Sequence, residues 1–274
     1  MILSKSRLNT IIQCPEKYRL HYELGLRPVK ESPPLVEGSA LHHLVETALV
    51  NQAACDPSEL LEYASGEFWT EHPFEQCDYP DRASHEEAQV RCIAEAKAFL
   101  NAIGPLDAQR SEYHLEVPVI DPLTGEAIPD VSLQGYMDLL DVVDDRLRVI
   151  DIKTTARKPM DRMADLALEL TLYAYLLAYP NLGEVQPVAM LYLVRTKEPK
   201  VIWQTGTRSA EHFSELVDTV RRVSAAISQG LFWKNIGQHC TWCDFAAFCF
   251  KDETTAHQKF AITNRATNPQ LAIS

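Results

Sequence analysis

Apolar positions along this chain change their period twice. From Ser4 to Tyr22 they recur at helical spacing. Leu8, Ile11 and Ile12 form a stripe that Ser4 or Ser6 can cap, and Pro15 breaks it before a further turn carrying Tyr18 and Tyr22. A proline-containing loop (Pro28, Pro33, Pro34) follows. Residues 38–52 then place Leu41, Leu44, Val45, Ala48 and Leu49 on one face of a helix. Residues 53–82 are mixed and read as a short helix, then a loop around Pro73 and Pro80. Ser84-x-x-Glu87 has the form of a capping box and predicts a helix to about residue 102.

The period then drops to two. Residues 112–120 alternate, with Leu115, Val117 and Val119 on one face. Residues 131–143 and 146–153 read as strands joined by a tight turn at Asp144-Asp145. Residues 163–179 are apolar almost all round, which predicts a buried helix. Residues 187–194 and 200–205 predict another hairpin, and 209–229 a long helix carrying Val217, Val220, Val223 and Ile227. From Thr254 the tail is polar, without strong periodicity. Helices, a strand meander, a buried helix and more strands predict an α/β fold with a central mixed sheet flanked by helices.

Composition narrows the class. A chain of 274 residues can bury one large core, with or without a subdomain. No apolar run reaches the ~18–20 residues of a membrane span. The opening residues lack the apolar segment of a signal peptide, so a cytoplasmic location is expected, with no membrane partner. The net charge of −12 argues against a broad basic nucleic-acid surface but allows a local basic channel. Two local basic groups, Arg157, Lys158, Arg162 and Arg195, Lys197, Lys200, read most simply as solvated surface. The seven cysteines are odd in number and read as reduced thiols. Cys55, Cys77 and Cys92 are scattered and read as small, partly buried side chains.

Two constellations carry candidate chemistry. The first is Asp138 and, thirteen residues on, Asp151-Ile152-Lys153. On neighbouring strands the two aspartates can face each other, while alternation puts Asp151 and Lys153 on one face and Ile152 on the other. Two carboxylates at one point repel unless a cation sits between them, and Mg2+ or Mn2+ suits such oxygens, with the Ile152 carbonyl as a third. Lys153 can orient or deprotonate a water, or neutralise charge on a phosphate. Asp-x-Lys alone recurs by chance. Here Val149, Ile150, Met137, Leu139 and Leu140 embed it in apolar strands, where charges are rarely idle. His42, in Gly38-x3-His42, and Glu116, mid-strand, read most simply as a satisfied core group and an exposed strand position. His43 lies about 100° from His42 around the helix and faces elsewhere. Glu169, on an otherwise apolar helix, needs a partner, and Lys153 is the natural one; Tyr173 lies one turn on.

The second constellation joins the chain's ends. Cys240, Cys243 and Cys249 stand as C-x2-C-x5-C, with Cys14-Pro15 far upstream. Four thiolates suit an iron–sulfur cluster or a structural zinc. Closing so long a loop costs ~5 kcal/mol of chain entropy, which metal–thiolate bonds can offset. Trp242, Phe245, Phe248 and Phe250 interleave the ligands as a candidate shield. The site reads as a structural staple that can also shape the path by which DNA enters.

Taken in order, these pieces resemble the RecB/AddB-type nucleases of the PD-(D/E)XK superfamily, including free-standing relatives from phages and CRISPR adaptation modules. The resemblance rests on the serine-rich start with Cys14-Pro15 and Tyr18, Gly38-x3-His42, Gly135-x2-Asp138, Asp151-Ile152-Lys153-Thr154, Tyr173 and the cysteine run. It implies a restriction-endonuclease-like core over 31–229 with a helical insertion. An iron–sulfur subdomain from 1–30 and 230–253, and a tail over 254–274, would complete the chain. It further implies that His42, Asp138, Asp151 and the Ile152 carbonyl hold Mg2+ or Mn2+, with Lys153 catalytic. Cys14, Cys240, Cys243 and Cys249 would hold a 4Fe–4S cluster. Family members usually carry Gln-x3-Tyr where this chain has Glu169-x3-Tyr173, and glutamate cannot donate the amide hydrogen bond.

The expected activity is metal-dependent DNA exonuclease on single strands or duplex ends, in recombination and repair, phage DNA processing or CRISPR adaptation. No G-x4-G-K-[ST] motif is present, so any helicase, recombinase or integrase partner would be a separate chain. The competing expectations are a non-catalytic iron–sulfur DNA-binding adaptor and a zinc-stapled endonuclease.

Overall fold

Alternating Val, Ile and Leu positions build a sheet in this computed structural model, which describes residues 1–51, 57–103, 110–196, 200–252, 256 and 260–262. Cys55, Lys197 and nearly all of the polar tail lie outside them. In chain order the elements are β1 (Ile2–Ser4), α1 (Lys5–Gln13), α2 (Pro15–Tyr18), a π-helical turn (Arg19–Glu23), β2 (Leu26–Pro28), α3 (Pro33–Asn51), α4 (Pro57–Glu71) and α5 (Arg82–Ile103). There follow β3 (Arg110–Ile120), β4 (Ala127–Val143), β5 (Arg146–Thr155), α6 (Met163–Leu166), α7 (Leu168–Ala178), β6 (Gln186–Val194) and β7 (Lys200–Arg208). The chain ends with α8 (Ala210–Ser228), α9 (Ala246–Cys249) and β8 (Phe260–Ile262). It divides into two units, one of residues 1–5 and 32–218, the other of 6–31 and 219–274.

The larger unit is a mixed six-stranded sheet flanked by helices. Its strands run β1-β4-β5-β6-β7, with β3 on the other edge of β4. The β1–β4 and β5–β6 pairs are parallel; β3–β4, β4–β5 and β6–β7 are antiparallel. Asp144 and Asp145 both take positive φ, 49° and 59°, as a two-residue type I′ hairpin requires. Helices α3, α4 and α5 pack with Leu139, Ile150, Ile152, Ala189, Leu191 and Leu193 in one apolar core. All five positions foreseen on α3 are buried in it. Val149, Val188 and Met190, which alternate with those strand residues, are also buried, and α7 crosses β3 to β6. A sheet covered on both faces explains the near-continuous apolar runs of β5 and β6.

Several expectations are corrected. The helix expected from Ser84 starts at Arg82, and Asp81 rather than Ser84 caps it: the Asp81 carboxylate accepts the Ser84 backbone N–H at 2.7 Å. The mixed stretch holds the fifteen-residue helix α4. The expected 163–179 helix is broken at Ala167, which is extended. Buried Arg208 is the cause: its guanidinium donates to the carbonyls of Ala164 (2.5 Å) and Ala167 (3.3 Å) and to Thr171 Oγ1 (2.7 Å). Arg195 is not solvated surface. It donates to Glu37 (2.7 Å) and Glu95 (2.8 Å), and Arg91 also reaches Glu37, so one buried carboxylate anchors β6 to α3 and α5. Cys77 and Cys92 are buried, as expected.

In the smaller unit the break at Pro15 falls between α1, which ends at Gln13, and α2, and β2 pairs antiparallel with β8. One of its apolar clusters is small: Leu20, Leu26 and Phe245, with Leu24, Cys243, Phe248 and Phe260 against them.

Gly135 is where sheet and α7 come closest. A Cβ there would stand 2.8 Å from Tyr173 Cε1 and 2.9 Å from Leu176 Cδ1. Gly135→Ala is therefore expected to destabilise the protein by about 1–3 kcal/mol through overpacking, checked by urea denaturation.

Candidate active site

The candidate site forms where β4 and β5 part. Their ladder pairs Leu139 with Ile150, which brings Asp138 beside Asp151. There Asp138 Oδ2 accepts the Ile152 backbone N–H at 2.8 Å. Asp151 is fully buried, and Ile152 points into the apolar core. Helix α3 delivers His42. Its Nε2 lies 2.8 Å from the Ile152 carbonyl and 3.1 Å from Asp138 Oδ2, and its Nδ1 contacts Glu46. One donor atom from each of His42, Glu46 and Asp138 falls within 4.8 Å of the others. Gly38, one turn before His42, lets the helix approach β5: a Cβ there would meet Thr154 Oγ1 at 3.2 Å.

Two lysines engage Asp151. Lys153 contacts Oδ2 and lies 3.7 Å from Glu169; Lys5, the first residue of α1, donates to Oδ1 at 3.0 Å. Lys5 also sits 5.4 Å from the centroid of the buried Tyr173 ring. Burial opposes the charge on Lys5, but Asp151, Tyr173 and Asp138 outweigh it and raise its pKa. Burial likewise opposes charge on His42, yet hydrogen bonds to Asp138 and Glu46 push it up to about 11. Burial would raise the Asp138 carboxyl; His42 and Lys5 hold it below its ordinary range.

This set fits a hard divalent cation. Carboxylate, carbonyl and imidazole donors converge on one point, and carboxylates held by cationic partners can take such an ion in their place. His42, Asp138, Asp151, Ile152, Lys153, Glu169 and Tyr173 all gather here. His43 points away, its ring 5.9 Å from that of Phe68. Glu116 is exposed and accepts from Ser132 Oγ at 2.7 Å, apart from the cluster.

In the smaller unit Cys14, Cys240, Cys243 and Cys249 line one cavity of about 170 Å³, with Lys17, Lys234 and His239. All four are free thiols. The donor set fits a four-thiolate metal group. Burial raises the Cys243 and Cys249 thiols above their ordinary pKa. The aromatic shield is partial: Phe245 is buried, but Trp242 and Phe250 are 67% and 64% exposed. Those two cannot exclude water as the spacing suggested.

The sequence profile of the PD-(D/E)XK nuclease superfamily matches residues 2–250. The chain belongs to that superfamily. Among curated protein sequences none matches it. Three solved structures show distant likeness to this PD-(D/E)XK protein. SSO0001 is 13% identical with a TM-score of 0.39, covering 86% of this chain and 93% of its own. A protein from Eubacterium rectale, named as a candidate exonuclease, is 13% identical with a TM-score of 0.46, covering 84% and 82%. LHK-Exo in complex with dAMP is 12% identical with a TM-score of 0.28, covering 70% and 92%.

Two residues of this candidate site escape sequence reasoning. Glu46 is four residues after His42, a spacing that puts both on one helix face, so the signal was there. Lys5 had no local signal, because only the parallel pairing of β1 with residues 132–134 of β4 carries it to Asp151.

Proposed function

We propose that this protein is a Mg2+- or Mn2+-dependent deoxyribonuclease acting exonucleolytically on single strands or duplex ends. Superfamily membership supports phosphodiester hydrolysis. The observation that carries the reading is the convergence of His42, Asp138, the Ile152 carbonyl and buried Asp151 beside Lys153. His42, Asp138, Asp151 and Ile152 would hold the cation, with Glu46 steadying the imidazole through Nδ1. When bound, the ion supplies Lewis-acid stabilisation of the phosphate and a more acidic water. Lys153, between Asp151 and Glu169, orients that water or offsets charge at the phosphate. Glu169 stands where the family's glutamine would donate, so in this chain it acts through Lys153. Tyr173 forms the wall beside Lys5.

The four cysteines are read as ligands of a structural 4Fe–4S cluster, with zinc as the rival occupant. Their shared cavity and free thiols support this. The proposed setting is DNA recombination and repair, phage DNA processing or CRISPR adaptation, with any helicase, recombinase or integrase on another chain. Among the described residues no helix is long and apolar enough to cross a membrane.

End-labelled linear DNA should be degraded with Mn2+ and left intact with EDTA. Closed circular DNA should survive both. Cleavage of the circle would overturn the exonucleolytic mode, and intact linear DNA with Mn2+ would overturn the nuclease assignment.

A further inference from the structure

Asp151 has two carboxylate oxygens, and each touches an ammonium: Lys5 at Oδ1 and Lys153 at Oδ2. A divalent ion shared with Asp138 would repel an ammonium on the same oxygen, so the lysine on the oxygen it takes is displaced. Lys153 has a second acceptor in Glu169. Lys5 is differently placed. It reaches Asp151 from the start of α1, its ammonium 3.0 Å from the oxygen that Lys153 does not use. It has somewhere to go, since its side chain is 26% exposed. The Tyr173 ring beneath it favours a cation at that position whether or not Asp151 is its partner.

We propose that Lys5 is a cation-exchange and phosphate-binding residue: it neutralises Asp151 until a divalent ion takes that oxygen, and its ammonium then receives a non-bridging oxygen of the phosphate. Without Lys5 the metal-free site would leave Asp151 to Lys153 and Asp138 to His42 alone, a thinner counter-charge than buried carboxylates need. Once the ion supplies that charge, Lys5 is a free donor beside the place where a phosphate docks. The same ammonium thus weakens metal binding and strengthens turnover. The phosphate half rests on the nuclease reading above; the exchange half does not.

The two effects have opposite signs, which a merely structural role would not produce. Mn2+ binding is measured by electron paramagnetic resonance without DNA, counting the ions that Asp138→Asn loses. Lys5→Met keeps the apolar stem and should bind this Mn2+ about tenfold more tightly, the effect of removing one charge-assisted contact. At saturating Mn2+ its kcat on a linear oligonucleotide should fall by about a hundredfold, as for loss of one transition-state donor. Lys5→Arg should restore both toward the parent values and controls for folding, alongside thermal melts. Unchanged or weaker Mn2+ binding by Lys5→Met overturns the exchange. Unchanged kcat overturns the phosphate contact. A parent protein that binds Mn2+ but leaves all DNA intact overturns the nuclease reading and the phosphate half with it, while the Mn2+ measurement still decides the exchange.

Discussion

Asp151→Asn should lower DNA cleavage at saturating Mn2+ by about a thousandfold or more while leaving the protein folded. Metal-site carboxylates position the ion and through it the reacting phosphate, and losing one such anchor exceeds the 10²–10³-fold typical of a lost transition-state donor. The structure sharpens the expectation. Asp151 is fully buried between Lys5 and Lys153, so the amide leaves two ammonium groups facing a neutral partner. Both lysines are partly exposed, at 26% and 32%, and can turn to water, which limits the folding penalty. Asparagine keeps the volume that the surrounding core requires. Single-turnover assays on end-labelled DNA, with circular dichroism melts of both proteins, separate lost chemistry from lost fold. If Asp151→Asn cleaved at the parent rate, the divalent-ion site would have to lie elsewhere. Lys153→Ala tests a different element of the same site, and its expected loss persists at any metal concentration.

How much of this was legible depended on distance along the chain. Helix α3 was readable because its apolar period is local and unbroken, and every residue assigned inward is inward. The Asp144-Asp145 turn was readable because two consecutive aspartates tolerate the left-handed region that a type I′ turn demands. The facing of Asp138 and Asp151 followed from that turn, since hairpin register fixes which residues meet. Features made by tertiary contact were not legible. Strand β1 is three residues long and exists only because β4 offers it an edge. Lys5 reaches Asp151 only through that pairing. The break at Ala167 is imposed by Arg208, some forty residues later, whose guanidinium competes for the carbonyls a continuous helix would use. Arg195 looked like surface because its partners, Glu37 and Glu95, lie on helices far upstream. In the cysteine segment, spacing singled out thiols that line one cavity with Cys14, but no local rule says which aromatic rings pack and which stay in water.

That segment carries the other large expected effect. Cys243→Ala should abolish the iron and sulfide loading proposed for the four cysteines and collapse the smaller unit, while the sheet of the larger unit survives. Around the cysteines the apolar cluster is small, Leu20, Leu26 and Phe245 with four partly buried neighbours, Cys243 among them, so a metal group there adds order that this cluster alone does not supply. The unit's backbone is tied across the long sequence gap by the β2–β8 pair and by bonds such as Glu16 N–H to the Trp233 carbonyl at 3.0 Å and Asn235 to the Gln13 carbonyl at 2.7 Å. A four-thiolate metal group contributes on the order of 10 kcal/mol of binding free energy, all of it folding free energy where the site does not exist in the unfolded chain. Because burial raises the Cys243 and Cys249 thiols, protons compete with the metal, so loading should weaken as pH falls. The measurement is anaerobic purification with iron, sulfide and zinc quantification, followed by limited proteolysis. Cys243→Ala should be cut rapidly within 6–31 and 219–252, with the 32–218 fragment persisting. Zinc in place of iron and sulfide would keep the staple and overturn the cluster. Equal protease resistance in parent and variant, with neither metal bound, would mean that Phe245 and its neighbours hold this unit unaided.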